Sequence, residues 1–245
     1  MKNRILFCIY LFVISVAVPC MGQFSEEKLF ETKNIRLNDS LSVAIRQITQ
    51  EEHDTRKQAS AHLQQKPYKV IKEYEKTRWK LGKRLKMVTT DEEYDTRELE
   101  ITFKDGTKRR LNYDARTIED YFFAYYPKLD VVVLLGEADG DYPVDLNDSS
   151  NKHFVGDPAH HYPSPDRTLR ITGFYPGGAA DAVMWFFEKW NKREKKYVHI
   201  SDWWENNMDE YYYAEGWFWT DNDTILFKTT TYYYEMKIDI VACSD

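Results

Sequence analysis

Cysteine is the first scarcity. The chain of 245 residues holds three, and two of them, Cys8 and Cys20, fall within the first 22 residues. Only Cys243 remains beyond that point, and one thiol cannot close an internal bridge, so a disulfide framework is excluded and stability must come from packing. A long apolar run is also missing. The stretch Ile5 to Val18 is shorter than the roughly 17 or more residues that span a bilayer. Net positive charge is absent as well: 34 Lys and Arg face 40 Asp and Glu, giving −6. A chain this acidic lacks the overall electrostatic footprint for nucleic acid or anionic lipid. No Gly-x-Ser-x-Gly nucleophile elbow occurs, and Cys243 lies where a chain end frays.

What is present begins with an export signal. Lys2 and Arg4 precede the apolar run, and Pro19-Cys20-Met21-Gly22 leads into polar sequence, which predicts cleavage after Gly22 and a periplasmic or secreted protein. A lipoprotein attached through Cys20 is the alternative, although Pro19 stands where such motifs carry a small residue. Removing residues 1–22 deepens the acidic balance and leaves no membrane span. The expected organisation is a signal peptide at 1–22, a helical segment at 23–66 and a β-rich domain at 67–245.

Within the helical segment, Leu37, Leu41, Ala44, Ile45 and Ile48 share one face at helical spacing, with Asn38, Asp39 and Ser40 as capping candidates. The expected helix runs over about 40–64 and ends before Pro67. Residues 67–90 fit neither the helical nor the strand period. They carry a basic run, Lys72, Lys76, Arg78, Lys80, Lys83 and Arg84, which reads as a solvated face. From Leu99 the period is two, and Asp105-Gly106 marks a hairpin turn, since Gly supplies positive φ at little cost.

Three later segments have one form: strand, short polar turn, strand. They are Tyr121 to Leu135, then Tyr162 to Ile171 continued by Ala182 to Trp190 and Lys196 to Ile200, then Gly216 to Thr229 continued by Tyr232 to Val241. Tyr126, Tyr162 and Trp219 stand at matching places beside the turns. Ser164-Pro165-Asp166 followed by Leu169 resembles the Ser-Pro-Asp, TolB-type class of WD40-like β-propeller repeats. Arg167 stands where that repeat carries Gly, and Thr220-Asp221-Asn222-Asp223 keeps only the shape of the turn. The resemblance covers about 120–242 and implies a mainly β fold of propeller-like blades. With at most four sheets available, a closed ring, an open partial propeller and stacked antiparallel meanders all remain open.

Candidate chemistry is sparse. Glu137, Asp139, Asp141, Asp145 and Asp148 offer the oxygens of a calcium loop, but Tyr142 stands where the sharp turn needs Gly. His153, His160 and His161 with Asp157 form the histidine cluster, and adjacent histidines on extended chain point to opposite faces. Aromatic side chains crowd the last sixty residues, and Trp203, Trp204, Tyr212 and Trp217 are the candidates for a recognition face. The expected function is an exported, non-catalytic binding protein for a protein or glycan partner, with no cofactor beyond a calcium option. The alternative is a secreted glycan hydrolase that draws on the acids of 137–148 and on Trp203-Trp204-Glu205.

Overall fold

The computed structural model describes residues 31–91, 96–112, 122–135, 140–150, 155–178, 182–203, 211 and 213–240. Residues 1–30, with Cys8 and Cys20, and residues 241–245, with Cys243, lie outside them. Thr32–Asp245 forms one compact unit. It is mainly β, and its described strands fall into four antiparallel sheets, none of which closes into a barrel. No described helix is long and apolar enough to cross a membrane.

The expected helix at 40–64 is corrected. Lys33–Asn38 (β1) and Leu41–Ile48 (β2) form a hairpin, and the helix, α1, covers only Gln50–Ala59. Residues 41–48 satisfy two periods at once. Leu41, Val43 and Ile45 alternate as well as they spiral, and all three are fully buried. What decides is the last strand, β15 (Tyr233–Ile240), which pairs with β2 over its whole length, from Tyr233 opposite Ile48 to Ile240 opposite Leu41. Long-range pairing overrides local periodicity here. The residues expected to cap a helix shape the β1–β2 turn instead, with the Asn38 side chain accepting from the Ser40 N–H at 2.8 Å. Thr49 is the true cap, its hydroxyl accepting from Glu52 N–H.

The ambiguous stretch divides at a glycine. Tyr74–Leu81 forms a second helix, α2; Gly82, at φ 54°, ends it; and Leu85–Asp91 (β3) follows. β3 joins Thr96–Thr102 (β4) and Lys108–Asn112 (β5) in a three-stranded sheet. The Asp105-Gly106 hairpin is present, with Gly106 at φ 87°. Its loop has three residues, closed by Phe103 N–H to the Thr107 carbonyl at 2.9 Å.

Phe122–Tyr126 (β6), Val131–Leu135 (β7) and Asp141–Asp145 (β8) form the second sheet. It packs on the first through Leu99, Ile101, Phe122, Val132 and Leu134. Arg84 pins the two together, bonding the Asp130 carboxylate at 2.8 Å and the Leu146 carbonyl at 2.9 Å. Tyr162–Pro163 (β9), Leu169–Phe174 (β10), Met184–Asn191 (β11) and Lys196–Asp202 (β12) make the third sheet. Glu215–Trp219 (β13) and Thr224–Lys228 (β14) complete the fourth, in the order β1-β2-β15-β14-β13. One aromatic-rich core, including Trp185, Trp203, Trp217, Trp219 and Phe227, joins the third and fourth sheets.

Tyr126 and Trp219 each end a strand at a turn, and Tyr162-Pro163 is the whole of the short strand before its turn. The last two turns touch. The Trp219 indole N–H donates to the Tyr162 carbonyl at 2.9 Å, and Asp166 N–H donates to the Asn222 side chain at 3.0 Å. Inside the Ser-Pro-Asp turn, Asp166 accepts from Thr168 N–H and from the Ser164 hydroxyl, and Arg167 takes φ 62°. A side chain held in that left-handed region costs about 1–2 kcal/mol. Arg167→Val therefore destabilises by about 1–2 kcal/mol relative to Arg167→Gly, because both lose the Arg167–Gln65 bond and only one keeps a β-branched residue at positive φ. Urea unfolding of the pair measures the difference; equal midpoints would remove the strain argument.

Candidate functional site

Two glycines bring the site together. A Cβ on Gly140 would lie 2.4 Å from the Pro176 carbonyl oxygen, and one on Gly156 would lie 2.1 Å from the Thr172 hydroxyl. Their absence lets both segments press against β10 and the chain that follows it. Asp141 N–H then donates to the Tyr175 carbonyl at 2.6 Å, and Asp157 N–H to the Gly173 carbonyl at 2.8 Å. The Asp157 carboxylate caps the short 3-10 turn Pro158–His160, accepting from Ala159 N–H at 2.8 Å, and this turn sets the position of His160.

The result is a cluster that neither candidate set contained alone. Asp141 comes from the proposed calcium loop, and Asp157 and His160 come from the histidine cluster. Their ligating atoms all lie within 4.8 Å of one another. Asp157 is 2% exposed, and among the described residues no Lys or Arg pairs with it or with Asp141. Burial, then the neighbouring charge of Asp141, raises the Asp157 carboxyl above its ordinary range. These three side chains could hold a divalent cation, which would neutralise two adjacent carboxylates.

His161 caps the end of the Pro158–His160 turn in extended backbone and does not join the cluster. Its Nε2–H donates to the Gly156 carbonyl at 3.1 Å, and its Nδ1 accepts from the Arg170 guanidinium at 3.1 Å. Arg170 pairs with the buried Glu188 and lies 4.1 Å over the Tyr197 ring. Burial, then the charge of Arg170, holds the imidazole well below its usual range. His161 is thus a neutral structural residue.

His160 opens onto a cleft of about 510 Å³ between the third and fourth sheets, lined by Tyr162, Trp185, Tyr213, Glu215, Lys228 and Thr229 among others. Trp185 forms an aromatic floor, its ring edge-on to His160 at 5.5 Å and tilted on Tyr162 at 5.8 Å, its N–H bonded to the Ala214 carbonyl. Tyr213, half exposed, stands at the rim, and Glu215 and Lys228 form an ion pair at 2.9 Å. Aromatic faces with a few polar groups around them suit a ligand that has both apolar and hydroxylated surfaces.

The other candidates are placed elsewhere. Trp203 and Trp217 are each 3% exposed and belong to the core. Asp145 accepts from Asn147 N–H, and Asp148 accepts from Ser150 and pairs with Lys196 at 3.0 Å, so these two and Asp141 face three separate sets of partners. Glu137, Asp139, His153, Trp204, Glu205 and Tyr212 lie outside the described residues. Sequence reading missed Tyr213, Trp185 and the Glu215–Lys228 pair. The signal that could have found the acid–histidine cluster was Gly140 directly before Asp141 and Gly156 directly before Asp157. No family model, curated protein or solved structure matches this chain.

Two pH effects follow, with opposite signs. The folded-state pKa of His161 lies below its unfolded value of about 6.5, so the unfolded chain binds the extra proton and stability falls as pH drops below about 6.5. Wild type loses up to about 1.4 kcal/mol per pH unit there relative to His161→Gln, measured by thermal melts between pH 7 and pH 5. For Asp157 the folded pKa is raised, so its ionised form costs stability at neutral pH and costs none below the unfolded value of about 3.9. Asp157→Asn, which retains a capping oxygen, therefore melts higher than wild type at pH 7, and the gain shrinks as pH approaches 4. An unchanged gain across that range would show that the carboxylate charge is not its source.

Proposed function

We propose that this is an exported, non-catalytic β-rich binding protein whose recognition site is the cleft floored by Trp185. The observation that carries the reading is the lining: the indole floor, Tyr162 and Tyr213 beside it, and the Glu215–Lys228 pair and Thr229 supplying polar contacts. This is the chemistry a glycan needs, since a sugar offers an apolar ring face to an aromatic side chain and hydroxyls to charged and polar groups. The scaffold is an open, propeller-like array of consecutive meanders. Four antiparallel sheets, three of them built from consecutive strands and the fourth completed by β1 and β2, support that reading, as does Arg167 in the backbone conformation that the resembled repeat reserves for Gly.

A secreted glycan hydrolase is the second reading, favoured by Asp141 and Asp157, which cluster with the cleft-lining His160. Their oxygens lie within 4.8 Å, near the carboxyl spacing of about 5–5.5 Å in retaining glycosidases, and the raised Asp157 has the character of a general acid.

One pair of variants separates the readings. Glycan-array screening of the protein, followed by calorimetry on the strongest hit, should show Tyr213→Ala weakening binding by roughly tenfold while thermal melts show the variant still folded, because Tyr213 is half exposed. Asp157→Asn should retain binding, and no reducing ends should appear on incubation with the glycan. Release of reducing sugar that Asp157→Asn abolishes would establish the hydrolase instead. Binding that ignores Tyr213 would remove the cleft from the account.

A further inference from the structure

We infer that the surface around Trp79 docks the protein on an anionic phospholipid surface. Residues 66–86 hold nine Lys and Arg against two Glu, in a chain whose net charge is −6. Overall charge therefore repels such a surface, but attraction is decided within a Debye length, about 8 Å at physiological salt. Several of these cations are held elsewhere: Arg84 on Asp130, Lys86 on Glu100, Lys76 on Glu73 and Arg78 on Glu75. Lys66, Lys69, Lys80 and Lys83 are exposed and have no carboxylate partner among the described residues.

Trp79 stands beside Lys80 and one helical turn from Lys83, and at 90% exposed it is the most exposed large apolar side chain among the described residues. Helix α2 buries Thr77 and Leu81 on its inner side, which leaves Lys76, Trp79 and Lys80 outward, and Lys83 follows one turn on. Lys72 lies 5.9 Å over the ring of Phe123, itself 41% exposed, and Val70 is 37% exposed. An indole that projects from a short convex helix is a knob. A protein host must offer a matching hole, whereas the interfacial layer of a bilayer accepts an indole of any orientation and the headgroups take the lysines around it. The attachment is peripheral, and it uses a surface separate from the cleft.

The test is co-sedimentation of the protein without residues 1–22, which retains the whole compact unit Thr32–Asp245, with vesicles of phosphatidylcholine alone or of an equimolar mixture with phosphatidylglycerol. Binding is expected only to the mixture, it should weaken with added salt, and it should be accompanied by a blue shift of tryptophan emission. Trp79→Ala abolishes the blue shift without changing the melting temperature. Lys80→Glu with Lys83→Glu lowers affinity at least about tenfold. Equal binding to both vesicles, no binding, or an unaltered blue shift in Trp79→Ala overturns the inference, and absence of binding would assign the patch to an acidic protein partner.

Discussion

The contact between Trp185 and Trp217 is the point on which most of this molecule depends. Their rings meet edge-on at 5.4 Å, and Trp217 continues edge-on to Trp203 at 5.4 Å and onto Phe227 at 4.8 Å. Trp185 lies in β11 of the third sheet and Trp203 directly follows β12, its backbone N–H bonded to the Trp185 carbonyl, while Trp217 and Phe227 lie in the fourth sheet, so this chain of rings is what makes two separate sheets into one core. Each such pair contributes about 0.5–1.5 kcal/mol beyond area burial, and the removal of one buried indole costs about 3–5 kcal/mol. The Trp217 N–H is buried without a hydrogen-bond partner among the described residues, which costs about 1–3 kcal/mol. Packing of the rings outweighs it. Because Trp185 lies at the open end of the series, the same ring that joins the sheets also floors the cleft.

A second constraint acts at the chain level. β2 pairs with β15 across eight residue positions, so the first and last described strands share a sheet. Helix α1 reinforces the seam: Arg46 bonds Glu235 at 2.9 Å and Glu52 at 2.6 Å, Arg56 also reaches Glu235, and His53 packs on Tyr233 at 4.9 Å. The fourth sheet therefore cannot form until the whole chain is present, which places its assembly late and gives it high contact order. The aromatic cluster inherits that dependence, since Trp217 and Phe227 sit on its strands.

The legible parts of the fold are those whose pairing is local. The hairpins at Phe122–Leu135, Tyr162–Ile171 and Gly216–Lys228 announce themselves because their two strands are separated only by a turn, and Gly106 marks its own position. β2 was illegible because Leu41, Val43 and Ile45 serve two periods, and its partner lies at the other end of the sequence. The ambiguous 67–90 stretch resolved at Gly82, a helix stop that weak periodicity on both sides had hidden. For the site, the sequence displays the individual acids and histidines but not their grouping. Asp141 falls in an acidic loop and His160 in a histidine set, and what brings them together is the close approach of two glycine-bearing segments to β10. The aromatic count pointed to a recognition surface, and burial then separated Trp203 and Trp217, which hold the core, from Tyr213, which faces solvent.

The central claim is that the cleft over Trp185 is where this protein meets its ligand. Hydrogen–deuterium exchange with and without the strongest glycan-array hit addresses it without any substitution. Slowed exchange is expected to be confined to residues 160–162, 182–185, 213–216 and 228–230, the segments that supply the cleft lining. Slowed exchange elsewhere, with those four segments unchanged, would contradict the claim.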